Sequence, residues 1–221
     1  MRVKTYLVLS AALAIGTMAV LLATPTTADT ADSKKYELTA ILSAPNQNGT
    51  NPEFVVDEFG TVPSSASGVF SAILDLEAGQ LLDLDLRVVG MSVADLRNFG
   101  PNATPFHIHL PNSGKKGDFG FNVIDLMFDA KEGSLMDTDD GFSFTRSSMS
   151  IFAADQGKYK KAGVHPGDEV IGERLQTGFP FLLIHSKKDL FTNTKGKFPN
   201  GDPVPKGFPF GELRGEIAIT N

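Results

Sequence analysis

Apolar and polar positions alternate along most of this chain with a period of two. Tyr36, Leu38, Ala40 and Leu42 alternate with polar or small residues, which predicts a first strand. Phe70, Ala72, Leu74 and Leu76 predict a second, after Gly68. The clearest case is Leu82, Leu84, Leu86 and Val88, interleaved with Asp83, Asp85 and Arg87. In that strand the leucines are expected to face a core and the charged residues water, Asp83 and Asp85 included. Further strands are predicted over residues 106–110, 119–126, 179–185 and 212–219, with glycine and proline punctuating the gaps. Helix signals are weak. Ser92 is placed to cap a short helix through Val93, Leu96 and Phe99, with Asp95 in its first turn. Short strands at this spacing predict an all-β domain, an antiparallel sandwich or barrel. Residues 43–66 and 186–210 read as long excursions, and loops of that length are usually functional or mobile.

The beginning of the chain reads differently. Arg2 and Lys4 precede an uncharged apolar stretch over residues 6–23, and Thr26, Thr27 and Ala28 then supply small residues for a signal peptidase. Residues 1–28 are therefore expected to be a secretory signal peptide, and residues 29–221 a single domain exported to the periplasm or the medium. An uncleaved membrane anchor is the alternative, disfavoured by Pro25 and the small residues. The formal charge is −6, and removing residues 1–28 makes it two units more negative, since they hold two basic and no acidic residues. An acidic exported domain is a poor candidate for binding nucleic acid. With no cysteine in the chain, disulfides, thiol catalysis and cysteine-ligated metals are excluded.

Candidate chemistry concentrates in the histidines. The chain has four, and three fall in strand-like segments: His107, His109 and His185. His107 and His109 are two apart on a strand, so they share a face. A third imidazole from another strand would complete a trigonal or T-shaped copper site, or three corners of a zinc tetrahedron with an open fourth. Asp189, Glu212 and Glu216 are acidic candidates for orienting the rings. The competing reading makes the same histidines hydrogen-bonded structural residues without metal. His165, in Val164-His165-Pro166-Gly167, reads as an exposed loop histidine.

Other motifs are weaker. Arg214 lies between Glu212 and Glu216 on one face of the last strand, with Leu213, Ile217 and Ile219 on the other; a structural ion pair is favoured over an anion guide. Asp137-Thr138-Asp139-Asp140-Gly141 resembles a calcium loop, but Ser148 occupies the twelfth position, where such loops need glutamate. A turn with solvated acids is the expected role. Asn48-Gly49-Thr50 and Asn102-Ala103-Thr104 fit the glycosylation pattern. No nucleophile–base arrangement and no phosphate-binding glycine loop stands out, so no catalytic residue is assigned.

The ordered set of a strand at Tyr36-Glu37-Leu38-Thr39-Ala40, then His107-Ile108-His109, then Ile184-His185-Ser186, then Pro199-Asn200-Gly201 and Gly211-Glu212-Leu213-Arg214-Gly215-Glu216-Ile217 resembles the CHRD domain, named for its occurrence in chordin. The resemblance spans roughly residues 35–220 and implies an exported binding module. The chain departs from the family in a long interval between His185 and Gly211, in Ser186 where the family has threonine, and in a longer stretch over residues 127–178. A more distant similarity is to copper/zinc superoxide dismutases, through Pro105-Phe106-His107-Ile108-His109, Leu183-Ile184-His185-Ser186-Lys187-Lys188-Asp189 and Gly211-Glu212-Leu213-Arg214. That similarity implies copper ligation by His107, His109 and His185, and anion attraction by Arg214. Together the resemblances imply an antiparallel β-sandwich of Greek-key type with immunoglobulin-like or superoxide-dismutase-like topology. The bridging histidine, the zinc cluster and the cysteines of that family are missing. Three functions follow as expectations: a binding module holding copper or zinc on a three-histidine face, a copper-only dismutase-like redox enzyme, and a metal-free structural or adhesive domain. The last would make its contacts through the long loops with Phe191, Phe198, Phe208 and Phe210.

Overall fold

A computed structural model describes residues 35–44, 46, 63–97, 104–111, 123–131, 133–152, 168–188 and 211–220. The fold is all-β and antiparallel. Ten strands run in chain order as β1 (Lys35–Ser43), β2 (Ser67–Asp75), β3 (Gln80–Val89), β4 (Phe106–His109), β5 (Val123–Asp125), β6 (Leu135–Asp137), β7 (Gly141–Ser150), β8 (Phe181–Ile184), β9 (Leu213–Glu216) and β10 (Ala218–Thr220). The described residues contain one α-helix, α1 (Asp168–Thr177). The hydrogen-bonded order is β5-β4-β8-β9-β1-β2-β3-β7-β6, with β10 paired to β1 beside β9. This sheet curls back on itself. Phe106 of β4, near one end of the order, meets Phe144 of β7, near the other, edge-on with ring centroids 4.9 Å apart, and stacks on Phe142 at 6.2 Å. The core fills the inside of the curl with Leu38, Leu42, Leu74, Leu86, Ile108, Leu182, Ile184 and Leu213 among its members.

β1 follows the period-two rule closely: Leu38, Ala40 and Leu42 are buried and Ile41 is exposed. β3 breaks phase midway. Leu81, not Leu82, is buried with Leu84, Leu86 and Val88. The cause is a bulge at Asp83, whose φ is +48°, opposite the shift in register between Ser71 and Ile73 on β2. An inserted residue reverses which side chains face the core. The strand expected over residues 119–126 is present as β5, with residues 119–122 outside those described. The expected last strand is split. Ile217 turns its N–H to the Pro180 carbonyl at 2.9 Å, leaving β9 to pair with β8 and β10 with β1.

Three elements had no expectation attached: β6, β7 and α1. β7 carries Phe142 and Phe144 inward, but its next inward position is Arg146, which hides the alternation. The half-buried Arg146 donates Nη1 to the carbonyls of Leu126 and Phe128, at 3.2 and 2.6 Å, in the turn after β5. Helix α1 buries Ile171 and Leu175, a four-residue spacing that places both on one face. The helix expected after Ser92 is a single 3-10 turn over Val93–Asp95, in which Asp95 accepts both the backbone N–H and the hydroxyl of Ser92. Leu96 leaves it in extended conformation to bridge Ser186.

Candidate metal centre

β4 and β8 are buried on both faces, with all four residues of each inaccessible or nearly so. One face is the core: Phe106 and Ile108 on β4, Leu182 and Ile184 on β8. The other carries the histidines. Paired residues in an antiparallel ladder share a face, so the register defines two rungs. The first runs Asp125–His107–Leu183–Arg214–Ser43 across β5, β4, β8, β9 and β1. The second runs Val123–His109–Phe181–Glu216. Val123, Phe181 and Leu183 are buried, yet none belongs to the core cluster. The histidine face is thus a second interior, separate from the first.

His185 joins this face from just beyond β8. Its N–H donates to the Pro105 carbonyl at 2.6 Å, and its own carbonyl accepts the Arg97 N–H at 3.0 Å. These main-chain bonds tie it to the start of β4 and to the 3-10 turn. Its ring stacks on His107 at 4.9 Å and 27°, and the His107 ring lies 4.7 Å from that of His109. One ligating atom from each of the three lies within 4.8 Å of the others. All three side chains are buried, at 0–1% exposure, which distinguishes them from a chance surface cluster. Burial first, then the neighbouring charges of His107, His109 and Arg97, hold the His185 imidazole well below its ordinary value of 6.5. Both effects favour the neutral ring, which is the form that ligates metal.

The donor set fits copper or zinc. Imidazole suits both ions, and two nitrogens bonded to one ion at about 2 Å can stand at most about 4 Å apart. The three ligating atoms lie within 4.8 Å of one another, near that spacing.

The remaining sequence candidates are distributed differently. Glu212 is buried, accepts the Ser64 hydroxyl, and pairs through Oε1 with Lys188 Nζ at 2.5 Å. Arg214, 2% exposed, lays its guanidinium over Phe181, with Cζ 3.7 Å from the ring centroid. Phe181 in turn is parallel to the His109 ring, at 4.9 Å and 3°. An aromatic ring thus stands between Arg214 and His109. Burial lowers the Arg214 pKa, and the charge of Glu216 opposes that shift. Glu216 itself is exposed. Two glycines of the terminal motif have steric reasons. Gly211 has φ +60° and would bring a Cβ to 2.8 Å from the Ile184 carbonyl oxygen. At Gly215 a Cβ would stand 2.8 Å from the Ile41 carbonyl oxygen.

Asp137–Gly141 forms the β6–β7 turn. Asp137 Oδ1 accepts the Val93 N–H at 2.7 Å, Asp140 Oδ1 accepts the Thr138 hydroxyl at 3.1 Å, and Thr138 N–H reaches the Gly141 carbonyl at 2.9 Å. His165, Asp189, residues 1–28, the Asn48 sequon, Asn102 and the four loop phenylalanines lie outside the described residues. No helix among the described residues is long and apolar enough to cross a membrane. No family model, curated protein or solved structure matches the chain.

Sequence reasoning missed two residues beside the trio. Asp125 is fully buried and directly opposite His107. Arg97 is the cation whose charge reaches His185. The alternation Val123-Ile124-Asp125 could have exposed Asp125 as an inward polar position. Arg97 had no sequence signal, because a 3-10 turn and one isolated bridge bring it there.

Proposed function

We propose that this chain is an exported CHRD-type binding module that holds one copper or zinc ion through His107, His109 and His185. The observation that carries the reading is the convergence of three buried imidazoles, with ligating atoms within 4.8 Å, on a face separate from the apolar core. The bound ion would clamp β4 to the end of β8. Export rests on the basic, apolar and small-residue order of residues 1–28, and the family on the motifs of β4, β8 and β9.

A copper-only, dismutase-like redox enzyme is the second reading. It is favoured by the positive charge of Arg97 felt at His185, since a cation beside a metal attracts small anions. Phe181 screens Arg214 from His109, so Arg97 rather than Arg214 would serve there.

The test is metal content. The purified chain is exposed to copper and to zinc beside a His107→Ala/His109→Ala variant. About one equivalent per chain is expected in the parent and none in the variant. Negligible metal in both removes the proposal and leaves a structural or adhesive β-domain. Superoxide turnover by the copper-loaded parent then separates the enzyme from the binding module.

A further inference from the structure

Resting on the metal reading, we propose that Asp125 is the positioning carboxylate of the histidine centre, balancing the charge of the ion and holding the His107 side of the site. Two carboxylates are buried among the described residues, Asp125 and Glu212. Glu212 is committed elsewhere, to Lys188 and the Ser64 hydroxyl. Asp125 sits on the same rung as His107, directly across from it, and so on the same face. A divalent ion on three neutral imidazoles leaves two positive charges in a dry interior, where an uncompensated charge is costly. Asp125 is the buried group placed to offset one of them.

Its orientation is built in. Oδ1 accepts the Thr104 hydroxyl and, at 2.9 Å, the Met127 N–H. Thr104 precedes β4 and Met127 follows β5, so the carboxylate is gripped from both strands of the pair that carries His107 and His109. Metal-bound imidazoles are commonly oriented by carboxylates in this way, and losing such a group typically costs 10–100-fold in affinity, roughly. The competing role is service to Arg146, whose guanidinium feels Asp129 first and Asp125 second. Arg146, however, spends its Nη1 donor on the Leu126 and Phe128 carbonyls.

Asp125→Asn separates these roles, because the amide oxygen still accepts from Thr104 and Met127 while the charge is gone. Zinc and copper(II) affinities of the full chain, of Asp125→Asn and of His107→Ala are measured by competition with a chromophoric chelator. Melting of each metal-free protein and the copper(II) electron paramagnetic resonance spectrum are recorded alongside. Asp125→Asn is expected to bind both ions about 10–100-fold more weakly, with a changed copper spectrum and parent-like metal-free melting. Parent-like affinity overturns the inference, and does so most directly if metal-free melting falls, which would assign Asp125 to Arg146. Should Asp125→Asn fail to fold, Thr104→Val decides. It is expected to weaken metal binding in the same direction, and unchanged affinity there overturns the inference. Should the unmodified chain take up no more metal than His107→Ala, the metal reading itself fails and this inference falls with it.

Discussion

Two stretches of the sheet, central β1–β2 and β4 near one end, use the same strand geometry for opposite purposes. In β1 the inward residues Leu38, Ala40 and Leu42 are buried, and on the outer face Ile41 is 75% and Val69 of β2 54% exposed. In β4 both faces are buried, and the outward positions are His107 and His109. In the first stretch a polar side chain can be replaced by almost anything that tolerates water. In the second, every polar group has lost its water and must find a partner inside the protein. Asp85 and Arg87 on β3 show the contrast: their ion pair, at 3.0 Å, is solvated and local. His107, Asp125 and Arg214 are instead stacked, gripped and ordered by residues from several strands. The buried histidine group could hold a metal ion, whereas the solvated pair on β3 is an ordinary surface contact.

The comparison can be broken most forcefully from its apolar side. Phe106→Ala removes the ring that closes the curl against Phe142 and Phe144. It should cost about 3–5 kcal/mol of stability in urea unfolding. Because the core and histidine faces share β4, it should also weaken metal binding, and retained affinity would show that the two interiors are independent.

Acid should distinguish the two stretches next. His185 is held below its ordinary value of 6.5 by burial and by His107, His109 and Arg97. The folded form therefore binds fewer protons than the unfolded chain at mildly acid pH, so stability rises with pH there. The contribution is complete above 6.5 and is lost as pH falls below it toward the depressed folded value. Unfolding of the metal-free protein should become easier between neutral pH and pH 5, roughly, a window where surface carboxylates are still ionised. A flat stability profile across that window would show that the His185 ring is not held neutral by burial.

The smallest effect belongs to the open outer face of β1. Ile41→Ser, at a 75% exposed position, should change stability by no more than about 0.5 kcal/mol and leave metal affinity untouched. A larger loss would mean that the outer face of β1 is covered in the working protein.

Legibility followed the same division. β1, β2 and β4 were readable because apolar residues recur on one face, and β8 because it is a short apolar run. β7 was not, because Arg146 takes an inward position that the turn carbonyls make tolerable. α1 was hidden by shortness, with Ile171 and Leu175 as its main apolar signal. In β3 the alternation was visible but its phase was not, since the bulge at Asp83 depends on pairing with β2.

For the centre, the amino-acid order determined that His107 and His109 share a face, because alternation along a strand is a local consequence of backbone geometry. It also placed glycine at 211 and 215, where backbones pass too closely for a side chain. Tertiary structure alone decided that this face is buried, that His185 closes on it, that Asp125 lies across from His107, and that Phe181 separates Arg214 from His109. Each of these depends on strands far apart in the chain being paired in one register. A contact between distant strands is set by the packing of the whole sheet, which no local pattern of residues encodes.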